Sequence, residues 1–325
     1  MQERYNVGGF KLLLETIQSE SVAGTDKLSA VVVGIEGSDS RLTIPDCIEL
    51  GDKCLYVTVI GKKALMGLNM LKHISVPQTV TVLEDWSLAQ CIHLETVIIR
   101  GKGDTDVTNV NFGRGVFEGC NELSAVCIGY DEVDDKAVLL GAAVWRLPAP
   151  YLFKDPDMGK DVWFLSWDKS LASYLDTRDD EGYTNQVLCG EEDISYDGIA
   201  SVDGELLSDG IDYIRETRKR KCHLCFLRLM ADKNLAENYR ARYIAYLKDH
   251  GIDQKNKEAW LVLKDVFGDD IEYFKLYAKV GCIEDELIDN MLDDLGEQHA
   301  EAKAFLIKHK QDNAKADDFF GNLML

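Results

Sequence analysis

Three segments of the chain repeat one pattern: IGKKALMGLNMLKHISVP (Ile60–Pro77), LEDWSLAQCIHLETVIIR (Leu83–Arg100) and FGRGVFEGCNELSAVCIG (Phe112–Gly129). They align without internal gaps, and the second and third rows begin 23 and 29 residues after the row before. The longer second spacing comes from a polar stretch, 101–111, which we interpret as a loop inserted on one face. Self-similarity at a nearly fixed period is typical of folds that stack one structural unit on the next.

Apolar residues recur at the same positions of all three rows. Each row ends in a strand of the form L-x-x-h-x-h, in which h is apolar and alternate side chains point to one side. A single row cannot bury that side, but rows stacked about 4.8 Å apart share one core and one parallel ladder. We therefore predict a short parallel β-solenoid, with Leu42–Pro45 and Tyr56–Ile60 forming a partial row before the first. Its six apolar columns are Ile60, Leu83, Phe112; Leu65, Leu88, Phe117; Leu68, Cys91, Cys120; Leu71, Leu94, Leu123; Ile74, Val97, Val126; and Val76, Ile99, Ile128.

The phrase IG-x-x-A-φ-x-G-x-x-x-L-x-x-φ-x-φ-P, in which φ is apolar, resembles the BspA-type leucine-rich repeat. The first row carries the whole phrase from Ile60 to Pro77, and the third carries the variant F-x-G-C-x-x-L from Phe117 to Leu123. The middle row departs from it at Glu84, where the family prefers Gly, and at Arg100, which replaces Pro. The resemblance covers about residues 40–130 and implies a curved right-handed solenoid that serves as a binding surface.

The strand residues that do not face the core predict an exposed surface, which is where solenoid proteins contact their partners. These residues also form columns, and the third row contributes Ser124, Ala125 and Cys127 to them. We expect a partner protein to bind this face, and the predicted binding residues are Lys72, His73, Ser75, Glu95, Thr96 and Ile98.

The end of a parallel ladder is an open edge that must be covered. Apolar and aromatic residues at 136–153 follow the last row directly and predict that cover. The segment Asp155–Gly210 is the most acidic part of the chain. Within it the patterns predict strands at Asp161–Trp167 and Asn185–Gly190, and loops at Asp176–Asn185 and Asp197–Gly210.

From Ser208 onward the apolar period changes from two to 3.6, which predicts a series of helices. The second of them is expected to begin at Asn234 as its N-cap and to end at Gly251 in a left-handed conformation. Short connections between the helices predict antiparallel neighbours. The segment Asp270–Lys310 resembles a degenerate ankyrin-like helix pair, although the Thr-Pro-Leu-His signature of that repeat is absent.

These patterns together predict an α+β multidomain protein in which a short parallel β-solenoid precedes an antiparallel α-helical array. We place the leucine-rich-repeat solenoid at 1–150, an acidic capping and bridging segment at 151–207, and a helical hairpin repeat domain at 208–325.

The charge of the chain argues against several classes of partner. The 325 residues carry 57 acidic and 36 basic side chains, a formal net charge of −21. Nucleic-acid binding needs a dense cationic footprint, and anionic membranes attract basic surfaces, so we predict neither partner. The nine cysteines are an odd number, and the N-terminal residues do not form a secretory signal. We therefore expect reduced thiols and a cytoplasmic protein.

Two local motifs suggest a rival function, a metal-dependent or redox-sensitive protein. Cys222 and Cys225 have the C-x-x-C spacing of a half zinc site, but no second pair of ligands follows it. Both also lie within the apolar periodicity of a predicted helix, which favours buried structural thiols. The acidic loop at 176–182 resembles a calcium loop, but Arg178 stands where a ligand oxygen is required. The neighbouring basic run 218–221 is typical of a solvated helix face that pairs with the acidic segment.

The sequence contains no phosphate-binding loop, dinucleotide fingerprint, nucleophile elbow or His-Glu-x-x-His motif. We therefore predict a non-catalytic protein–protein interaction scaffold of bacterial type that needs no cofactor. It would bind through the exposed strand face, the helical array or both. A cell-surface adhesin is a further alternative, because relatives with this repeat type are implied to act at surfaces.

Overall fold

A computed structural model shows two compact units, Met1–Ser170 and Leu171–Leu325. None of the helices it describes is long and apolar enough to cross a bilayer. The structure describes residues 2–17, 28–50, 53–101, 110–129, 133–144, 147, 152–153, 161–181, 201–202, 205–206, 208–252 and 257–323.

The first unit is built mainly from short strands. They are β1 (Gln2–Val7), β2 (Phe10–Ile17), β3 (Leu28–Gly37), β4 (Arg41–Thr43), β5 (Ile48–Leu50), β6 (Lys53–Ile60), β7 (His73–Val76), β8 (Val82–Leu83), β9 (Thr96–Ile99), β10 (Asn111–Phe112) and β11 (Ala125–Ile128). One sheet has the order β11-β9-β7-β4, and the other runs β1-β2-β3-β6-β8-β10 with β5 beside β6. Helix α1 (Asp135–Ala142) follows the last strand, and α2 (Asp161–Asp176) extends past the boundary between the two units.

The three predicted rows stack in the predicted register. In the first sheet all neighbours are parallel, and Ile74 pairs with Val97, which pairs with Val126. In the second sheet Ile60 pairs with Leu83 and Leu83 with Phe112. The turns between the sheets form a third ladder, in which the Leu65 N–H donates to the Ser87 carbonyl at 2.9 Å. Equivalent bonds join the second row to the third. In them the N–H groups of Trp86, Leu88 and Gln90 donate to the carbonyls of Arg114, Val116 and Glu118, respectively.

The stacked rows share one buried core, as the prediction required. Leu71 and Leu94 are fully buried, and Leu123 is 1% exposed. Among the eighteen residues of the six columns, only Leu68 in the first row and Ile128 in the third are partly exposed. The β-solenoid interpretation is therefore confirmed.

The N-terminal part of the unit is an antiparallel meander that the repeat pattern does not contain. Strand β2 pairs antiparallel with β1 and β3, and β3 then pairs parallel with β6 of the solenoid. The β5–β6 hairpin carries a disulfide between Cys47 and Cys54, whose Cα atoms are 5.6 Å apart. The expectation of reduced thiols throughout is therefore wrong for this pair. Among the described residues, six further cysteines are buried thiols: Cys91, Cys120, Cys127, Cys222, Cys225 and Cys282.

The far end of the stack is covered by aromatic residues, as expected for 136–153. The Phe153 ring lies 4.8 Å from the ring of Phe112 and 5.6 Å from that of Phe117. Two buried tryptophans of α2 hold this cover in place. The Trp163 indole donates to the Leu152 carbonyl at 3.1 Å, and the Trp167 indole donates to the Leu139 carbonyl of α1 at 3.0 Å.

The predicted strand at Asp161–Trp167 is wrong, since these residues begin helix α2. The run DVWFLSW is too short for its period to separate a strand from a buried helix. Its buried residues Trp163, Phe164, Trp167 and Leu171 recur at spacings of one, three and four, which places them on one helical face. The predicted strand at Asn185–Gly190 lies outside the described residues. Within the predicted loop at 197–210, β12 (Ser201–Val202) and β13 (Glu205–Leu206) form a small hairpin.

The second unit is helical, as predicted for 208–325. Its helices are α3 (Ser208–Met230), α4 (Glu237–Asp249), α5 (Glu258–Asp265), α6 (Ile271–Lys279), a 3₁₀ turn (Asp285–Leu287), α7 (Ile288–Leu295) and α8 (Ala300–Leu323). The predicted cap of α4 is wrong: Ala236 is its N-cap, and Asn234 lies two residues earlier with a φ of 55°. His250 is the C-cap, so Gly251 directly follows the helix as expected, but Gly251 does not adopt the predicted left-handed conformation.

The stacked core predicts that two substitutions in the solenoid differ greatly in their effect on the free energy of unfolding. Leu94→Ala should lower the free energy of unfolding by about 3 kcal/mol, because it leaves a cavity between rows. Met70→Ala should change it by no more than roughly 0.5 kcal/mol, because the Met70 side chain is 64% exposed. Urea unfolding of both variants, followed by circular dichroism, gives the comparison, and equal losses would contradict a shared core.

Candidate functional site

The outer face of the first sheet carries the predicted binding residues. His73 pairs with Thr96 and Ser75 with Ile98 across the parallel β7–β9 ladder. Their side chains alternate with the buried Ile74, so they lie on the side away from the core. Lys72 and Glu95 directly precede these two strands. The structure thus brings all six predicted residues together on one surface, and each is partly or fully exposed.

Charged side chains on this face pair between rows. The Lys72 ammonium lies 2.6 Å from Glu95 Oε1, and His73 Nε2 lies 3.9 Å from Glu95 Oε2. In the next step of the ladder, His93 Nδ1 lies 2.9 Å from Glu122 Oε1. The Lys72 hydrogen bond lowers the pKa of Glu95 below its ordinary value, and the same bond raises the pKa of Lys72. The face therefore has mixed charge that is fixed by contacts between adjacent rows.

In the third row of the predicted face Ser124 is exposed, but the two strand residues are not. Ala125 is 2% exposed and Cys127 is fully buried, because both pack with Ala137 of α1 in a small apolar cluster. Ile98 packs against the edge of this cluster. The helix can lie this close because Gly141 has no side chain: a Cβ there would be 2.6 Å from the Ser124 carbonyl oxygen. The open face therefore spans β4, β7 and β9, with α1 as a wall on the β11 side.

Sequence reasoning missed two residues at the other end of the face. Arg41 and Thr43 on β4 pair with His73 and Ser75 on β7, and both are exposed. The alternation around Leu42 carries this signal, because Leu42 is apolar and buried while Arg41 and Thr43 are polar. Its neighbours on either side must then point outward.

The two cysteines of the alternative metal or redox site are not accessible to solvent. Cys222 and Cys225 are fully buried on α3, and burial raises the pKa of both thiols. Burial also lowers the pKa of His223 to about 3. Thiolates are therefore disfavoured, and thiolates are what zinc binding and thiol exchange require. Among the residues that the structure describes, no three His, Cys, Asp or Glu side chains are grouped as metal ligands.

The acids of the calcium-like loop are occupied by cations of the chain. Asp179 Oδ1 lies 2.8 Å from the Lys221 ammonium, and Asp179 Oδ2 accepts from Arg218 Nε at 2.6 Å. Asp180 accepts from Arg178, and Asp176 pairs with Arg242. The basic run at 218–221 thus pairs with the acidic segment, as expected. It is not only a solvated face, however, because Lys221 is fully buried.

No protein-family model and no curated protein matches the sequence. Several solved structures of bacterial proteins are similar to the N-terminal part of the chain. A leucine-rich cell-surface protein from Faecalibacterium prausnitzii is 24% identical over 38% of this chain and 29% of its own, with a TM-score of 0.29. A leucine-rich repeat protein from Bacteroides ovatus is 23% identical over 34% of this chain and 27% of its own, with a TM-score of 0.26. A leucine-rich repeat protein from Bacteroides capillosus is 19% identical over 38% of this chain and 96% of its own, with a TM-score of 0.26.

The stacked rows and their parallel ladders define the first unit as a β-solenoid of the leucine-rich-repeat type. This chain spans less than a third of the length of the Faecalibacterium and Bacteroides ovatus proteins. The solenoid is followed here by a helical unit, so the chain combines a leucine-rich-repeat region with a helical array.

The ion pair on the strand face predicts a measurable pH effect. Because the folded pKa of Glu95 is depressed, its contribution to stability is present at neutral pH and is lost as the pH falls through the folded pKa. The contribution is small, as for most surface pairs. In Lys72→Gln the pKa of Glu95 should return toward its ordinary value, whereas Lys11→Gln on β2 should leave it unchanged. Carboxyl ¹³C titration by NMR measures the pKa of Glu95 in both variants and in the wild-type chain. An ordinary pKa for Glu95 in the wild-type chain would contradict the pairing.

Proposed function

We propose that the chain is a non-catalytic scaffold that binds a partner protein through the outer strand face of the solenoid. The observation that supports this proposal most is the convergence of the six predicted residues on a surface that α1 covers only at one end. The parallel ladder already fixes the backbone of this face, so the chain loses little further main-chain entropy when a partner binds. The mixed charges of Lys72, His73 and Glu95 suit the polar rim of a protein interface better than an anionic ligand.

The helical region offers a second surface for the same role. A groove of about 520 Å³ lies beside the ends of α5 and α7, and its lining includes Lys264, Asp294 and His299. Asp294 in this groove accepts hydrogen bonds from Trp260 and Lys264 at 2.7 and 2.9 Å. These hydrogen bonds hold the side chains of Asp294 and Lys264 in position, and a surface with fixed side chains is suited to binding a partner.

Site-specific crosslinking tests the binding face. A photoreactive amino acid at Thr96 should crosslink a partner protein in the native cell, because Thr96 lies in the middle of the face. The same group at Thr81, which is exposed but belongs to the other sheet region, is the matched control. The change His73→Glu should weaken the Thr96 crosslink by reversing the charge balance beside Glu95. No crosslink at Thr96, or equal crosslinks at both positions, would contradict the proposal.

The disulfide between Cys47 and Cys54 favours a compartment other than the reducing cytoplasm, where we first expected this chain. We therefore propose an oxidising location for the solenoid. Protein isolated from its native cell after rapid alkylation without reduction should yield a peptide linked through these two cysteines. Alkylation of both residues in that sample would support the cytoplasmic alternative.

A further inference from the structure

The turn side of the solenoid, away from the outer strand face, holds a tryptophan in an unusual backbone conformation. Trp86 has a φ of 55°, and the equivalent residues Lys63 and Gly115 in the adjacent rows have φ values of 58° and 60°. The repeat thus requires the left-handed conformation at this position, where glycine is the residue without strain. A bulky side chain at such a position suggests a role that folding alone does not require.

The Trp86 ring is held in place by the third row. A Cβ at Gly115 would lie 2.8 Å from both Cδ1 and Nε1 of the ring, so the indole edge lies directly over this glycine. The indole N–H donates to Glu118 Oε2 at 3.1 Å. The ring is nevertheless partly exposed, so it forms a fixed aromatic platform on the surface.

Three cations surround this ring. The ammonium groups of Lys62 and Lys63 lie 5.4 and 5.5 Å from the ring centroid, and the guanidinium carbon of Arg114 lies 4.4 Å from it. Cation–π attraction orients each of them without neutralising its charge. Among the described residues, none of the three forms an ion pair, although the chain as a whole carries a net charge of −21.

The neighbouring acids satisfy backbone groups instead. Glu84 Oε2 accepts from the Lys62 N–H at 2.8 Å, and Asp85 Oδ1 accepts from the Arg114 N–H at 2.7 Å. These carboxylates hold the turns of adjacent rows and leave the cationic side-chain ends available. Both carboxylates and Lys62 line an open groove of about 500 Å³.

We propose that Lys62, Lys63, Trp86 and Arg114, the Trp86 cluster, form a docking site for an acidic segment of a partner protein. Charge complementarity supports this occupant, because within the described part of the chain none of the three cations forms a salt bridge with a carboxylate. Arginine stacked on an aromatic ring presents its N–H groups in a fixed fork that suits a carboxylate. Tryptophan and arginine are also the residues that contribute most at protein interfaces. A sugar would need a bare indole face, and here cations already lie over the ring.

This site goes beyond the proposed function, because the cluster and the outer strand face use different residues. The test uses the full chain and a fluorescent hexaglutamate peptide, with hexaglutamine as the neutral control. Fluorescence anisotropy should show saturable binding of hexaglutamate alone. Arg114→Gln should weaken it about tenfold through loss of the charged fork. Arg4→Gln, which removes an exposed cation on β1, should leave it unchanged.

Trp86→Gly separates the site from the fold. Glycine adopts the required φ without strain, as Gly115 does in the next row, so the thermal unfolding curve should remain cooperative while peptide binding is lost. If this variant unfolds, Arg114→Gln still decides the matter. Absence of hexaglutamate binding by the wild-type chain, or equal binding by Arg114→Gln, would overturn the proposal. Equal or tighter binding of trigalacturonate would point to an acidic glycan and would also overturn it. None of these outcomes bears on crosslinking at Thr96.

Discussion

The solenoid depends on hydrogen bonds between rows that are too short to fold alone. Each row contributes to three parallel ladders, one in each sheet and one in the turns, and each ladder aligns the apolar columns. The core exists only between rows, so the first and last rows each need a neighbour of another kind. Strand β3 supplies it before the solenoid by pairing with β6. Phe153 and α1, held by Trp163 and Trp167, supply it at the other end.

The same constraint organises the surface. Residues about one repeat apart in sequence are neighbours in space, so the surface contacts run from row to row. Lys72 pairs with Glu95, and His93 pairs with Glu122. On the turn side the Trp86 ring lies between cations of the first and third rows. A solenoid of this kind can therefore carry two separate surfaces with different chemistry, a mixed-charge strand face and a cation–aromatic cluster.

Much of this architecture follows from the sequence because it repeats. A single row would have been ambiguous, but equal residue types in six columns fixed both the register and the side of each strand that faces outward. Features that occur once gave no such signal. The meander of β1–β3 has no counterpart in the rows, and α1 covers Ala125 and Cys127 through a contact that depends on Gly141. The left-handed conformation of Trp86 was also invisible, because the residue at that position differs in all three rows.

Selective methyl labelling of Ile74, Val97 and Val126 tests the stacked rows most directly. Adjacent rows are about 4.8 Å apart, so NOE cross-peaks should link Ile74 with Val97 and Val97 with Val126. Ile74 and Val126 are two rows apart, about 9.6 Å, and should show a far weaker direct contact. Missing contacts between adjacent rows, or a strong cross-peak between Ile74 and Val126, would contradict the stack and with it both binding surfaces.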